Sequence, residues 1–189
     1  MSEFLLEMSK VILNNQDEVL EELSRANDQR LRKLKITQND DTQLEQRYTL
    51  LLFYNIFNSD VYRETEYPLL RELWKELVCF IKEFNGHEPK ECWVSAWINY
   101  DEFDVVEGAL ADHIHQTKLH GYIVVDPKNT KTIFRRGFEI ENRPSIMYIG
   151  PGDWWHRVKN TKKYDGTRVT IGFDVSFDKP KSPIWSKVE

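Results

Sequence analysis

Cysteine is scarce: the 189 residues hold two, Cys79 and Cys92. That is too few for a disulfide framework, and their spacing is not that of a zinc site. Both lie among apolar neighbours and read as buried thiols in a reducing compartment. Long apolar runs are also missing, since no segment approaches the roughly eighteen residues that a membrane-spanning helix needs. The opening residues, Met1-Ser2-Glu3-Phe4-Leu5-Leu6, lack the basic and apolar regions of a secretory signal. An excess of basic charge is absent too: 26 Lys and Arg stand against 31 Asp and Glu, a formal charge of −5. A main partner made of nucleic-acid backbone is thereby disfavoured, because such footprints are usually basic. These absences lead to the expectation of a soluble, cytoplasmic protein with no membrane and no nucleic-acid partner. No internal repeat or low-complexity tract is found.

Aromatic residues, by contrast, are plentiful at 13%, and they concentrate after Phe53, where the core is expected. The length suits one domain over 1–189. Its expected parts are a helical region over 1–88, a β core over 89–178 and a C-terminal tail over 179–189.

Apolar positions Leu5, Met8, Val11, Ile12, Val19, Leu20 and Leu23 repeat at helical spacing, which predicts one or two helices over 2–35. A polar loop follows over 35–42. Tyr48, Leu51, Leu52, Asn55 and Ile56 predict another helix from about Gln43 to Asn58. A further helix opens at Tyr67-Pro68, because proline is tolerated in a first turn, and it carries Leu69, Leu73, Leu77, Phe80, Ile81 and Phe84 on one face. Asn85-Gly86 ends it. This half reads as scaffold, and its amphipathic helices offer a surface on which two copies could pair.

Beyond Pro89 the pattern turns aromatic and β-branched. Cys92–Tyr100, Leu119–Val125, Ser145–Ile149, Trp155–Lys159 and Thr167–Ser176 read as strands, separated by turns at Asp126-Pro127-Lys128-Asn129, Gly150-Pro151-Gly152-Asp153 and Tyr164-Asp165-Gly166. Short strands without intervening helices predict an antiparallel sandwich or barrel. The acidic run Asp101-Glu102-Phe103-Asp104 with Glu107 reads as a solvated loop.

Four of the five histidines fall between 113 and 156. His113 and His115 stand at i and i+2, which on a strand puts both rings on one side. His156, in Pro151-Gly152-Asp153-Trp154-Trp155-His156-Arg157-Val158, can close a metal site from another strand. Imidazoles with open coordination positions suit iron, copper, nickel or zinc, so ligand type alone does not choose the ion. Trp154 and Trp155 alternate in direction, one toward the core and one toward the rim. Lys118, Arg135 and Arg136 are basic points near that rim, most simply solvated.

From Trp93 to Phe177 the chain resembles the iron(II)/2-oxoglutarate-dependent oxygenases of the double-stranded β-helix fold, in particular a branch found in bacteria and phages. The resemblance rests on Trp97-Ile98-Asn99, His113-Ile114-His115, Leu119-His120-Gly121-Tyr122, Trp154-Trp155-His156-Arg157-Val158 and Arg168-Val169-Thr170. It implies an α+β protein: a jelly-roll, cupin-like core with N-terminal helices packed against it. It also implies iron(II) held by His113, His115 and His156, with 2-oxoglutarate as co-substrate bound by Arg168, Thr170 and Tyr122. Molecular oxygen would then hydroxylate a C–H bond of a small molecule or a protein residue. An arginine fork fits a carboxylate through two parallel hydrogen bonds, and Thr170 would add a hydroxyl from the same strand face.

Two positions depart from the family. His115 stands where aspartate is usual, leaving the site one unit more positive; restoring that carboxylate should retain or improve iron binding. His120 stands where serine is more common, and it could be a ligand, a supporting group or a structural residue. The rival reading is a cupin-type metalloprotein, a dioxygenase independent of 2-oxoglutarate or an isomerase. Pro151-Gly152, His156 and Asn160 match the cupin turn, with His120 in place of its glutamate. A non-catalytic metal-binding or structural domain is the third reading.

Overall fold

The computed structural model describes residues 48–50, 68–86, 91–102, 112–181 and 185–188. The helices and loop expected over 2–42 lie outside them, as do residues 103–111 of the acidic segment. Asp101 and Glu102 belong to a strand rather than a loop.

Helix α1 runs Pro68–Asn85. Pro68 costs nothing at its start because the first turn has no intrahelical acceptor for that N–H. Leu77 and Ile81, one turn apart, are fully buried. Gly86 ends the helix with φ of +73°, donating its N–H to the carbonyls of Lys82 and Glu83 at 3.2 Å each. Phe84 and Cys79, both expected inside, are exposed. Cys79 lies off the stripe defined by Leu77 and Ile81, whereas Phe84 continues that stripe into the exposed last turn of the helix. Cys92 is buried as expected, and burial pushes its thiol up to about 11 against the opposing charge of Lys82.

Nine strands complete the described fold: β1 Tyr48–Leu50, β2 Trp93–Glu102, β3 Leu119–Asp126, β4 Thr130–Phe134, β5 Phe138–Glu141, β6 Met147–Pro151, β7 His156–Asn160, β8 Thr167–Ser176 and β9 Ser186–Lys187. One sheet has the order β1-β2-β8-β3-β6, with β9 also on β2; the other has the order β5-β4-β7. Every pairing is antiparallel. Late strand β8 is inserted between β2 and β3, while β7 returns in the opposite sheet. This is a cupin-like, jelly-roll β-sandwich.

The helix expected over Gln43–Asn58 is corrected at its centre. Tyr48, Thr49 and Leu50 are extended and pair with Tyr100, Asn99 and Ile98. The free backbone groups of β2 take a partner there, and that tertiary demand overrides local periodicity. The β4–β5 hairpin adds two strands where none was expected. Its register pairs Lys131 with Glu141, and Ile133 with Glu139, so charged residues fill its outer face. The tail is not free either, since Ser186 and Lys187 pair with Val94 and Trp93.

The larger sheet has one apolar and one polar face. Val94, Ala96, Val169, Ile171, Phe173, Val175 and Ile123 are fully buried on the first. Trp97, Asn99, Arg168, Thr170, Gly172, Asp174, His120 and Tyr122 share the second, as the registers of β2, β8 and β3 require. That face looks onto the smaller sheet. Phe134 of β4 lies 4.9 Å from Tyr148 of β6 and 5.6 Å from His156 of β7, ring centre to ring centre. The candidate residues therefore line the space between the sheets.

Candidate metal centre

His113 and His115 do not sit on a regular strand, contrary to expectation. His113 forms a single antiparallel bridge with His156, each N–H donating to the other's carbonyl at 3.1 Å. The next anchor is the His115 N–H, which donates to the Gly152 carbonyl at 2.9 Å. Gly152 is needed for that approach: a Cβ would lie 2.3 Å from the Thr117 carbonyl oxygen. The segment from 113 to 115 is thus laced to the Pro151-Gly152 turn and to the head of β7, so three histidines from two distant stretches converge.

Their ring centres are 4.4 Å apart for His113 and His156, 5.2 Å for His113 and His115, and 5.6 Å for His115 and His156. One nitrogen from each lies within 4.8 Å of the others, close enough for a single ion. A fourth imidazole joins them. His120 stacks on His115 at 3.5 Å with an 11° tilt and stands 5.1 Å from His156.

Hydrogen bonds at Nδ1 fix which nitrogen is available. In His156, Nδ1 lies 2.9 Å from the Trp154 carbonyl oxygen, so it carries the proton. In His115 and His120, Nδ1 lies 3.0 and 2.9 Å from Asp174 Oδ1. An ionised carboxylate only accepts, so these nitrogens also donate. The lone pair is left on Nε2 in all three rings. His115 Nε2 is buried with no hydrogen-bond partner among the described residues. A buried imidazole nitrogen in that state is costly unless a metal or proton meets it. The donor set therefore fits a divalent transition metal.

Electrostatics point the same way. Burial, opposed by the bond to Asp174 and helped by neighbouring imidazoles, lowers His120 to about 4. Burial and the other rings lower His156 to about 3 despite its bond to Trp154. Burial by itself would raise Asp174, yet the His115 and His120 donors outweigh it and hold the carboxyl at about 2. Neutral imidazoles and an ionised aspartate are the state in which metal binding does not first require a proton to leave.

Trp97 lies beside the stack, 5.9 Å from His115 and 6.2 Å from His120. It fits because Gly172 has no side chain: a Cβ there would lie 2.7 Å from the indole.

Farther along the same inward face, Arg168 and Thr170 are 3% and 2% exposed. Thr170 Oγ1 accepts from Asn99 Nδ2 at 3.2 Å. Burial raises the Tyr122 phenol to about 12, against the lowering influence of nearby Thr132 and the charge of Arg168. Tyr122 thus stands between the imidazoles and the guanidinium. Six residues of β8 separate Asp174 from Arg168, about 20 Å of strand.

Asp112 turns away from the cluster and accepts from Arg135 Nε and Nη2 at 3.1 and 2.9 Å. Arg135 also lies over exposed Trp155, and Arg136 over half-buried Trp154, at 4.5 and 4.7 Å. The two tryptophans thus differ in burial, Trp154 being half-buried and Trp155 exposed, and neither lies fully inside.

Asp174 is the residue that sequence patterning leaves unmarked. The single hint is parity, since it continues the inward series of Arg168, Thr170 and Gly172. Its meeting with His115 and His120 depends on the pairing of β3 with β8.

No family model matches the chain, and no curated protein matches it in sequence. Among solved structures it is similar to protein NMB1881 from Neisseria meningitidis, at 14% identity, 44% of this chain, 74% of that one and a TM-score of 0.34. It is also similar to a cupin domain from Bordetella pertussis, at 13% identity, 47% of this chain, 85% of that one and a TM-score of 0.30. At such scores the jelly-roll assignment stands on strand order and register, not on these neighbours. No helix among the described residues is long and apolar enough to cross a membrane.

Proposed function

We propose that the protein is an iron(II)- and 2-oxoglutarate-dependent oxygenase that hydroxylates a small molecule or a protein residue. His113, His115 and His156 would hold the metal, the last two through Nε2. Bound iron would supply the redox chemistry with molecular oxygen, for which three imidazoles leave coordination positions open. The chain's own task is to present lone pairs in a site shielded by Trp97 and to orient a dianion along the inward face. Arg168 and Thr170 would hold its far carboxylate, with Tyr122 beside it.

One observation carries this reading: a single inward face runs from the imidazole cluster past Tyr122 to buried Arg168. A cupin-type metalloprotein independent of 2-oxoglutarate is the second reading. It is favoured by His120, whose ring joins the cluster from the position of the cupin glutamate.

Calorimetric titration of 2-oxoglutarate into anaerobic, iron-loaded protein tests the choice. Binding should occur and should weaken by about two orders of magnitude in Arg168→Ala, because truncation unpairs a buried carboxylate. Metal affinity with no 2-oxoglutarate affinity supports the cupin-type reading, and absence of metal affinity sinks both.

A further inference from the structure

Asp174 joins two of the four clustered imidazoles at their Nδ1 atoms, across each ring from Nε2, and its carboxylate also lies within 4.8 Å of a nitrogen of His115 and of His120. Its Oδ1 lies 3.0 Å from His115 Nδ1 and 2.9 Å from His120 Nδ1, and its Oδ2 lies 3.3 Å from His115 Nδ1. The two rings are held nearly parallel in a stack, with Trp97 beside it. One carboxylate therefore sets both the tautomer and the tilt of two imidazoles. It also places a full negative charge one ring away from a set of neutral donors.

We propose that Asp174 is the carboxylate of this metal centre, acting through His115 and His120 instead of by coordination. The inference rests on the metal reading above, and it explains how a site of neutral imidazoles retains a compensating charge. A ring whose Nδ1–H donates to a carboxylate is a stronger base at Nε2 than one donating to a neutral group. Asp174 is thus a positioning residue. In Asp174→Asn both N–H groups can still reach the amide oxygen, but the negative charge is lost and an NH2 group replaces the oxygen 3.3 Å from His115 Nδ1.

The arrangement also reverses what family resemblance implies for position 115. In His115→Asp the N–H that Asp174 holds is lost, so the shorter carboxylate is no longer oriented from that side, whereas the Asp174→Asn amide could donate to it. The variant should bind metal more weakly than the wild type, whereas adding Asp174→Asn should restore binding.

Anaerobic titration of full-length protein with Co(II), followed by calorimetry and visible absorption, reads all of these. Asp174→Asn should weaken binding by about 10–100-fold and shift the Co(II) bands, with Asp174→Glu recovering most of both. Unchanged affinity and bands in Asp174→Asn overturn the inference and leave the metal reading intact. Wild-type protein that takes up no Co(II) overturns that reading together with the inference. Should Asp174→Asn fail to fold, His115→Asp and the double variant decide together: weaker binding that the added Asp174→Asn restores supports the proposal, and no restoration overturns it.

Discussion

On one side of β8, Val169, Ile171, Phe173 and Val175 have no exposed surface; on the other, Arg168 and Thr170 are almost as deeply buried, and Asp174 is mostly so. Burial is therefore the same on both sides, while its consequences are opposite. The apolar side gains free energy from every group removed from water. The polar side must find a partner for each group it buries, and it does so through Asn99 with Thr170 and through two imidazoles with Asp174. A strand with both faces covered can thus serve as core and as binding wall at once. Stability is drawn from the odd-numbered residues and site chemistry from the even-numbered ones.

This contrast can be broken from either side. The largest effect is expected from the apolar one: Phe173→Ala should cost about 3–5 kcal/mol in denaturant unfolding. Metal affinity per folded molecule should change little, and a large loss there would mean that the faces are not separable. Acid should act on the polar side. His120 and His156 lie well below the ordinary 6.5, so the unfolded chain binds more protons between that value and about 3. The metal-free protein should be most stable above pH 6.5 and lose stability progressively as pH falls toward 3. Asp174, held near 2, adds a loss in the same direction below about pH 4. Denaturant midpoints across this range check the sign, and a flat profile would show that the rings are not buried neutral. The smallest effect is expected from Gly172→Ala, which overpacks the indole of Trp97 at about 1–3 kcal/mol. Because Trp97 flanks two imidazoles, metal affinity should fall with it, unlike in Phe173→Ala.

The β core was legible where alternation was strong. Thr167–Ser176 is found with the expected bounds, and the strands at 93, 119, 147 and 156 lie close to them. The hairpin over 130–141 escaped because its charged outer residues and exposed Phe138 blur the period-two pattern. Tyr48–Leu50 escaped because its partner strand lies fifty residues away. Cys79 was expected inside because its sequence neighbours are apolar, and Phe84 because it continues the stripe of Leu77 and Ile81 into the last turn, where that face is exposed.

By itself the sequence determined which side chains could bind a metal, their order along the chain, and the parity that sends Arg168 and Thr170 one way and Val169 and Ile171 the other. Those properties are local, set by residue chemistry and by the two-residue repeat of an extended chain. Tertiary structure decided that Asp174 meets His115 and His120, that His113 bridges to His156, and that Trp97 fits over Gly172. Each of these depends on register between strands far apart in sequence, and no local pattern encodes register.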